Sequence, residues 1–514
     1  YARRAGGPAW AQAGVALLLL LPASELAISL VQRLAARFAP PRRLPRLDLS
    51  GGIPEDARTL VVVPTLLTSV EGVERQLEHL EVLALGNVDP RVHFAILGDY
   101  TDADAPEKPG DAAILAAARA GIEALNARLG EGRTDRFFLL HRARQWNPAE
   151  GVWMGWERKR GKLEELNRLL RGATDTSYDV QVGDLSVLPG VRYCLTLDSD
   201  TRLPRDGARK LVGVMAHPLN RPVFDPACGR VTEGYGILQP RVSVTISSAA
   251  GSRFARIFAG HTGVDPYTTA VSDTYQDLFG EGSFTGKGLY DVDAFTAALE
   301  GRVPDNMLLS HDLFEGIHAR AGLVTDVEVV DDYPSSVLAH ARRQHRWTRG
   351  DWQILGWLLP FVPTRTGFAR NRLPLISRWK IFDNLRRTQL APATGALLLL
   401  GWTSLPGSPA VWTAAVVATL AFPLYTLALA ALAGPRPHQP LWAFLRGVAE
   451  DATGTAARVV LQLALLPSQA WATVHAVLVT LVRLTVTRRR LLEWETAAAS
   501  AARGESLERG TGAR

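Results

Sequence analysis

The chain has 514 residues, 47% of them apolar and 21% charged, with 45 Gly and 31 Pro; at roughly 150 residues per domain, this length suggests about three structural units. The apolar excess sits in blocks toward the two ends, which excludes disorder, collagen and coiled coil as the main theme, and two cysteines, Cys194 and Cys228, give neither metal-ligand spacing nor a disulfide framework. The net charge of +6 flanks the apolar segments, so it favours a membrane surface, and no aromatic and basic interleaving suggests nucleic acid as a partner.

In chain order, the first element is an apolar run from Ala9 to Leu30 whose only charge is Glu25. It is long enough to cross a hydrocarbon core of ~30 Å and reads as a membrane helix. Five arginines follow it, Arg33, Arg37, Arg42, Arg43 and Arg46, against Arg3 and Arg4 before it. This asymmetry places the following domain in the cytoplasm. Residues 1–50 thus form a transmembrane helix with a basic flank.

Between Asp56 and Thr366 short apolar runs alternate with amphipathic stretches, the pattern of an α/β domain, here bounded at 51–370. TLVVVPTLLTS predicts a strand, VERQLEHLEVLAL a helix, and VHFAILGDYTDAD a second strand ending in carboxylates. Such a Rossmann-like unit binds nucleotides outside the carboxyl ends of its strands. Asp99, with Asp102 in reserve, is placed to accept a hydrogen bond from a base. In GWERKRGKLEELNRLLRG, Arg158, Lys159, Arg160 and Lys162 precede a helix and face either a pyrophosphate or solvent. Lysine is scarce, with six in the chain, so its use here and at Lys287 suggests that a compact ammonium is wanted.

A third strand, Arg192 to Leu197, runs into Asp198-Ser199-Asp200. Two carboxylates at a strand end can hold a hard cation such as Mg²⁺ or Mn²⁺, which in turn binds a diphosphate. The pairs Asp102 to Asp104 and Asp291 to Asp293 share the spacing, but only this copy ends an apolar run deep in the domain. FGEGSFTGKGLYDVDAF, with Gly282, Ser283 and Lys287, is a loop that lets a sugar approach the backbone. Ser310-His311-Asp312 opens a helical stretch, as an N-cap with a first-turn acid or as a carboxylate delivered to the site as a base. RRQHRWTRGDWQ follows, in which Arg346 can compensate phosphate charge and Trp347 can present an apolar face to a sugar; an interfacial basic and aromatic belt is the other reading.

Residues 371–492 carry interfacial helices and further membrane segments. Leu390 to Leu405 and Ala410 to Leu432 read as a hairpin joined by PGSP, and Ala456 to Val486, interrupted at Pro467, as a second hairpin or as helices in the interface. Residues 493–514 read as a truncated linker of a longer protein.

Asp99, Asp198-Ser199-Asp200, the glycine-rich loop, His311-Asp312 and Gln344-His345-Arg346-Trp347 resemble, in order, the motif series of membrane-bound inverting glycosyltransferases of the cellulose-synthase kind. The last motif departs from that pattern: Gln344 stands one residue too close to Arg346, with Arg343 in its place. WERKRGKLEELNRLLRG, GKGLYDVDAF, LSHDLFEG, RRQHRWTRGDWQ and TRRRLLEWETA more closely resemble the cyclic β-1,2-glucan synthases. That resemblance implies a glycosyltransferase-A-type α/β domain in a bacterial inner membrane, using UDP-glucose on the cytoplasmic face. It further implies a glucan primed on the protein itself, elongated and cyclised, with trimming by a C-terminal phosphorylase domain. Asp312 would be the base, and Asp198 and Asp200 would hold Mg²⁺ or Mn²⁺. Asp99, Asp102, Lys162, Asp198, Arg343, Gln344, Arg346 and Trp347 would contact UDP-glucose, and Gly282, Ser283, Lys287 and Trp347 the acceptor. The rivals are a processive linear polysaccharide synthase and a non-catalytic membrane scaffold or exporter subunit.

Overall fold

The structure is a computed structural model and describes residues 1–259, 273–432, 434, 435 and 437–494. Its centre is an eight-stranded sheet of β1 (Thr59–Leu67), β2 (Val92–Tyr100), β3 (Phe137–Arg142), β4 (Tyr178–Val182), β5 (Tyr193–Thr196), β6 (Ile237–Val244), β7 (Gly288–Asp291) and β8 (Ala321–Asp331). Across the sheet the order is β8-β6-β7-β5-β1-β2-β3-β4. β5, β1, β2 and β3 run parallel. β7 is antiparallel to both its neighbours, so β6 and β8, which are parallel to each other, point the same way as β5.

The helices used below are α1 (Ala9–Phe38), α2 (Val70–Gly86), α3 (Asp111–Leu129), α4 (Arg158–Leu169), α5 (Gly207–Ala216), α6 (Val292–Leu299), α7 (Asp312–His318), α8 (Val337–Gln353), α9 (Leu375–Thr388), α10 (Leu390–Thr403), α11 (Pro409–Leu420), α12 (Phe422–Ala431) and α13 (Leu441–Val482). The strands are apolar on both faces, as a sheet covered on both sides requires. Val61 and Val63 share one core with Leu80 of α2, Ile122 of α3 and Leu211 of α5. Leu60 and Val62, one residue out of phase, join Leu163 and Leu166 of α4 and Phe295 of α6. The result is three layers, α/β/α, with the carboxyl ends of six parallel strands along one edge.

The membrane segments differ from the hairpin expectation. α1 and the helix from Leu441 to Thr487 are long and apolar enough to cross a bilayer, and α11 with α12 adds a third span if the pair, bent by 53°, counts as one. α10, with 14 residues, is about 21 Å long and too short to cross alone. The second expected hairpin is absent: α13 runs continuously through Pro467. A proline removes one backbone bond, and here apolar packing in the turn just before it supports the helix: Leu466 is buried in one cluster with Val15, Leu397 and Val416. The same helix touches the α/β half at two levels. Arg458 donates to the Ile257 carbonyl at 3.0 Å, and His475 meets His345 at 3.0 Å. α1 is tied to α9 by Arg386, which contacts Glu25 Oε2 at 2.7 Å and donates to Ser24 Oγ at 3.0 Å. The linker expected at 493–514 lies outside the described residues from residue 495 onward.

Candidate active site

Because β5, β2 and β8 point the same way, Asp99 at the end of β2, Asp198 just after β5 and Asp331 at the end of β8 collect along one edge. Antiparallel β7 begins there, since Gly288 pairs with Thr196, and so Lys287 joins them. Lys287 Nζ lies 3.0 Å from Asp198 Oδ2 and 2.5 Å from Asp331 Oδ2. Asp331 Oδ1 also accepts from Thr201 Oγ1 at 2.6 Å. From the first turn of α4, Lys159 Nζ reaches Asp198 Oδ1 at 2.6 Å and donates to the Gly286 carbonyl at 2.9 Å. α4 enters this position through two residues with left-handed backbone, Glu157 (φ 50°) and Arg158 (φ 52°), a costly conformation for non-glycine residues. It is held by the buried Glu157 carboxylate, which accepts from the Asn306 amide and pairs with Arg160 at 2.7 Å.

These contacts set the charges. Burial works to raise the Asp198 pKa, but the Lys159 and Lys287 ammoniums outweigh it and hold the carboxyl far below its usual range. Asp200 behaves oppositely: enclosure by protein, then the Asp198 and Asp331 charges, hold its carboxyl above the usual range. Its side chain still reaches solvent and has no salt-bridge partner among the described residues. Two carboxylates that repel each other, one of them unpaired, fit a hard divalent cation, because each carboxylate oxygen of Asp198 keeps a free lone pair beside its lysine.

Asp312 opens α7. Gly286 (φ +86°) lies so close that a Cβ there would come within 2.7 Å of Asp312 Oδ1; the glycine is needed for its backbone conformation and for this approach. His311 Nδ1 stands 2.7 Å from Glu315 Oε1 and 3.7 Å from Asp312 Oδ1. α8 presses on the same loop. A Cβ on Gly350 would lie 2.2 Å from Ser310 Cβ, and the Leu309 amide donates to Gln353 Oε1 at 2.7 Å. From this helix Arg346 enters the field of Asp198, Asp312 and Asp200. It makes no ion pair among the described residues; its guanidinium lies 5.1 Å from the Trp494 ring centroid.

Other expected residues fall elsewhere. Asp99 is 3% exposed and receives two bonds from Arg142, both 2.8 Å, and one contact from Lys162 at 3.1 Å. Burial raises its pKa, and the Arg142 and Lys162 charges more than reverse this, to about 2. Lys162 also donates to the carbonyls of Thr65 and Leu97, at 3.0 and 3.1 Å, and burial brings its pKa down to about 8. A nucleotide therefore finds neither side chain free. Asp102 is held bidentately by Arg158 at 2.7 and 3.0 Å. Gln344 is exposed and, two residues from Arg346, lies about 200° around the helix, on the opposite face. Arg343 stacks on Trp347 at 4.5 Å. Gly282 and Ser283 are bound into the scaffold, Gly282 O accepting from Lys380 at 2.7 Å and the Ser283 amide donating to Asp273 at 3.2 Å. Lys287 faces Asp198 and Asp331, away from an acceptor role. Reading the sequence missed Arg142 and Asp331, although FFLLHR and VEVVDD carry the same signal as LTLDSD, an apolar strand ending in charge. It also missed Trp494.

No protein-family model matches the chain. Over 494 residues it is 46% identical to the cyclic beta-(1,2)-glucan synthase NdvB of Rhizobium meliloti (strain 1021), an alignment that takes in 96% of this chain and 17% of that protein. The resemblance read from the motifs is thus borne out along nearly the whole chain, and the chain spans about one sixth of the length of that curated relative.

Proposed function

We propose that this chain is the transferase portion of a cyclic β-1,2-glucan synthase, and that it moves glucose from UDP-glucose to O2 of a growing glucan with inversion. The observation that carries the reading is the meeting, on one sheet edge, of Asp198, Asp200, two lysines, an arginine without an ion pair and the Asp312 carboxylate; the likeness to NdvB supports the product. Asp312 would take the proton of the attacking hydroxyl as its oxygen closes on C1 and the bond from C1 to the diphosphate breaks. Lys159, Lys287 and Arg346 supply positive charge where the leaving UDP gathers negative charge. Asp198 and Asp200 are the residues that would hold Mg²⁺ or Mn²⁺, whose chemistry when bound is Lewis-acid stabilisation of that diphosphate. The buried Asp99, Arg142 and Lys162 set stiffens the wall beside the nucleotide. Trp347, with Arg343 over its ring, is the residue that would face the acceptor.

This reading takes the α/β domain as glycosyltransferase-A-type, supported by the carboxylates at the ends of parallel strands. It sets the domain on the cytoplasmic face of a bacterial inner membrane, supported by the arginines after α1. The growing glucan, attached to the protein, and a phosphorylase domain elsewhere in the full-length protein are its further partners. The test is linkage analysis and mass spectrometry of the product that purified protein makes from UDP-glucose. β-1,2 linkage is expected. Exclusively β-1,4 product moves the chain to the processive synthases, and no turnover moves it to the scaffold or exporter class.

A further inference from the structure

The described chain returns to the candidate site after its last helix. α13 passes into one π-helical turn, Arg483–Thr487, and the direction then reverses through Arg488 (φ 50°) and Arg490 (φ 57°). Left-handed backbone at two arginines persists only where surroundings over-determine it, and here side chains of the α/β half capture the main chain. Arg349 donates to the carbonyls of Arg490, Leu491 and Glu493, at 3.2, 3.2 and 2.8 Å. Gln353 donates to Leu491 O at 2.9 Å, Arg158 donates to Leu492 O at 2.7 Å, and the Leu492 amide donates to Glu150 at 2.9 Å. Leu491 and Leu492 are buried. The next side chains are Glu493, which pairs with Arg483 at 2.6 Å, and Trp494, whose ring lies 5.1 Å from the Arg346 guanidinium and 5.9 Å from that of Arg158.

We infer that residues 488–494 form a strap whose task is to bring Trp494 against Arg346, making Trp494 a positioning residue for the guanidinium that meets the donor diphosphate. Among the described residues Arg346 has no carboxylate ion pair to hold it, so the ring face supplies the orienting attraction without neutralising the charge a diphosphate needs. Arg349 and Gln353, on the same helix as Arg346, bind the strap; helix and strap therefore move together. The inference rests on the reading of Arg346 given above.

The test uses purified protein with UDP as the probe, measured by calorimetry beside kcat and KM for UDP-glucose. Trp494→Ala should weaken UDP binding by about 3- to 30-fold, the range of one cation–π contact, while Trp494→Phe recovers most of it. In an Arg346→Met background the same Trp494→Ala change should cost less than about 2-fold, because the pair acts as a unit. Arg349→Gln, which loosens the strap without touching Arg346, should reproduce the Trp494→Ala defect and thereby covers the case in which Trp494→Ala fails to fold. Independent, multiplicative effects of Trp494 and Arg346, or unchanged UDP affinity in Trp494→Ala, would overturn the inference. A wild-type protein that binds no UDP overturns the functional reading instead.

Discussion

Asp312→Asn separates chemistry from binding at this site. The amide keeps the size and the N-terminal position of the carboxylate on α7, so Gly286, whose absent Cβ leaves room for Oδ1, is not disturbed. What is lost is a proton acceptor. A positioned general base contributes about 10²- to 10⁴-fold to rate, or about 2.7 to 5.4 kcal/mol of barrier at 1.36 kcal/mol per decade. Half of the effect can be checked without turnover: among the described residues Asp312 forms no ion pair with Lys159, Lys287 or Arg346, so UDP-glucose affinity should stay within about 3-fold. The assay is UDP release under saturating donor and acceptor, with donor binding measured separately. A fall in kcat with near-constant affinity meets the expectation. Normal kcat with a raised KM would refute the base and leave Asp312 a binding or capping residue.

Asp200→Ala should abolish transfer and remove the Mg²⁺ or Mn²⁺ dependence of UDP binding; unchanged turnover would mean that the cation sits elsewhere. Lys159→Met should lower turnover yet tighten Mn²⁺ binding in the absence of nucleotide: relieving a unit charge that repels the divalent ion from about 5 Å away, at an effective dielectric of ~40, is worth about 3.3 kcal/mol, or more than ~100-fold, and weaker binding by titration would argue against Asp198 as a ligand. Arg142→Met leaves the buried Asp99 with Lys162 as its one cation and Glu165 with hydrogen bonds from Ser177 alone, and should destabilise the fold by ~3 kcal/mol, read as a drop in unfolding temperature. Burial holds the Asp351 pKa up at about 6, above the unfolded value near ~3.9, so the wild type loses stability as pH rises through that window. Asp351→Asn should be neutral near pH ~4 and stabilising, by at most ~3 kcal/mol, near pH ~7, and parallel pH profiles of the two proteins would refute this.

The sheet was legible because its strands are continuous apolar runs of a length that only a two-sided sheet uses, and the order of motifs along the chain followed from polar residues at strand ends. Asp198 and Asp200 could be placed for the same reason, whereas Asp312 was placed by the helical stretch it opens. The role of Asp99 was not: Arg142, 43 residues away, reaches it only because β2 and β3 are neighbours with Asp99 opposite Arg142, a pairing no local pattern encodes. Lys159 and Lys162 differ by three residues on one helix, nearly one turn, and sequence cannot say which ammonium reaches Asp198 and which is drawn beneath Asp99. The second membrane hairpin failed on Pro467, where local propensity favours a break and packing of the flanking apolar residues overrides it. Trp494 was invisible because its meaning depends on a chain reversal made of arginines, with no glycine to mark it.

The charges on the edge explain why donor and cation would enter as a pair. Four carboxylates, Asp198, Asp200, Asp312 and Asp331, face three cations, Lys159, Lys287 and Arg346. The site alone therefore carries one excess negative charge, which resists a bare diphosphate and attracts a divalent cation. With that cation bound, the excess becomes positive, and a diphosphate diester, bearing two negative charges, restores the original balance. In the proposed reaction, transfer would leave UDP with one more negative charge than the donor had, in a site whose fixed charges match the donor. On the proposed function, the lysines that pair with Asp198 would exchange that acceptor for a phosphate oxygen, while Lys287 would keep its second partner, Asp331. Asp198 would then be the pivot of the arrangement: its charge, shared between two lysines in the structure, is what would let them face an anion once the donor arrives.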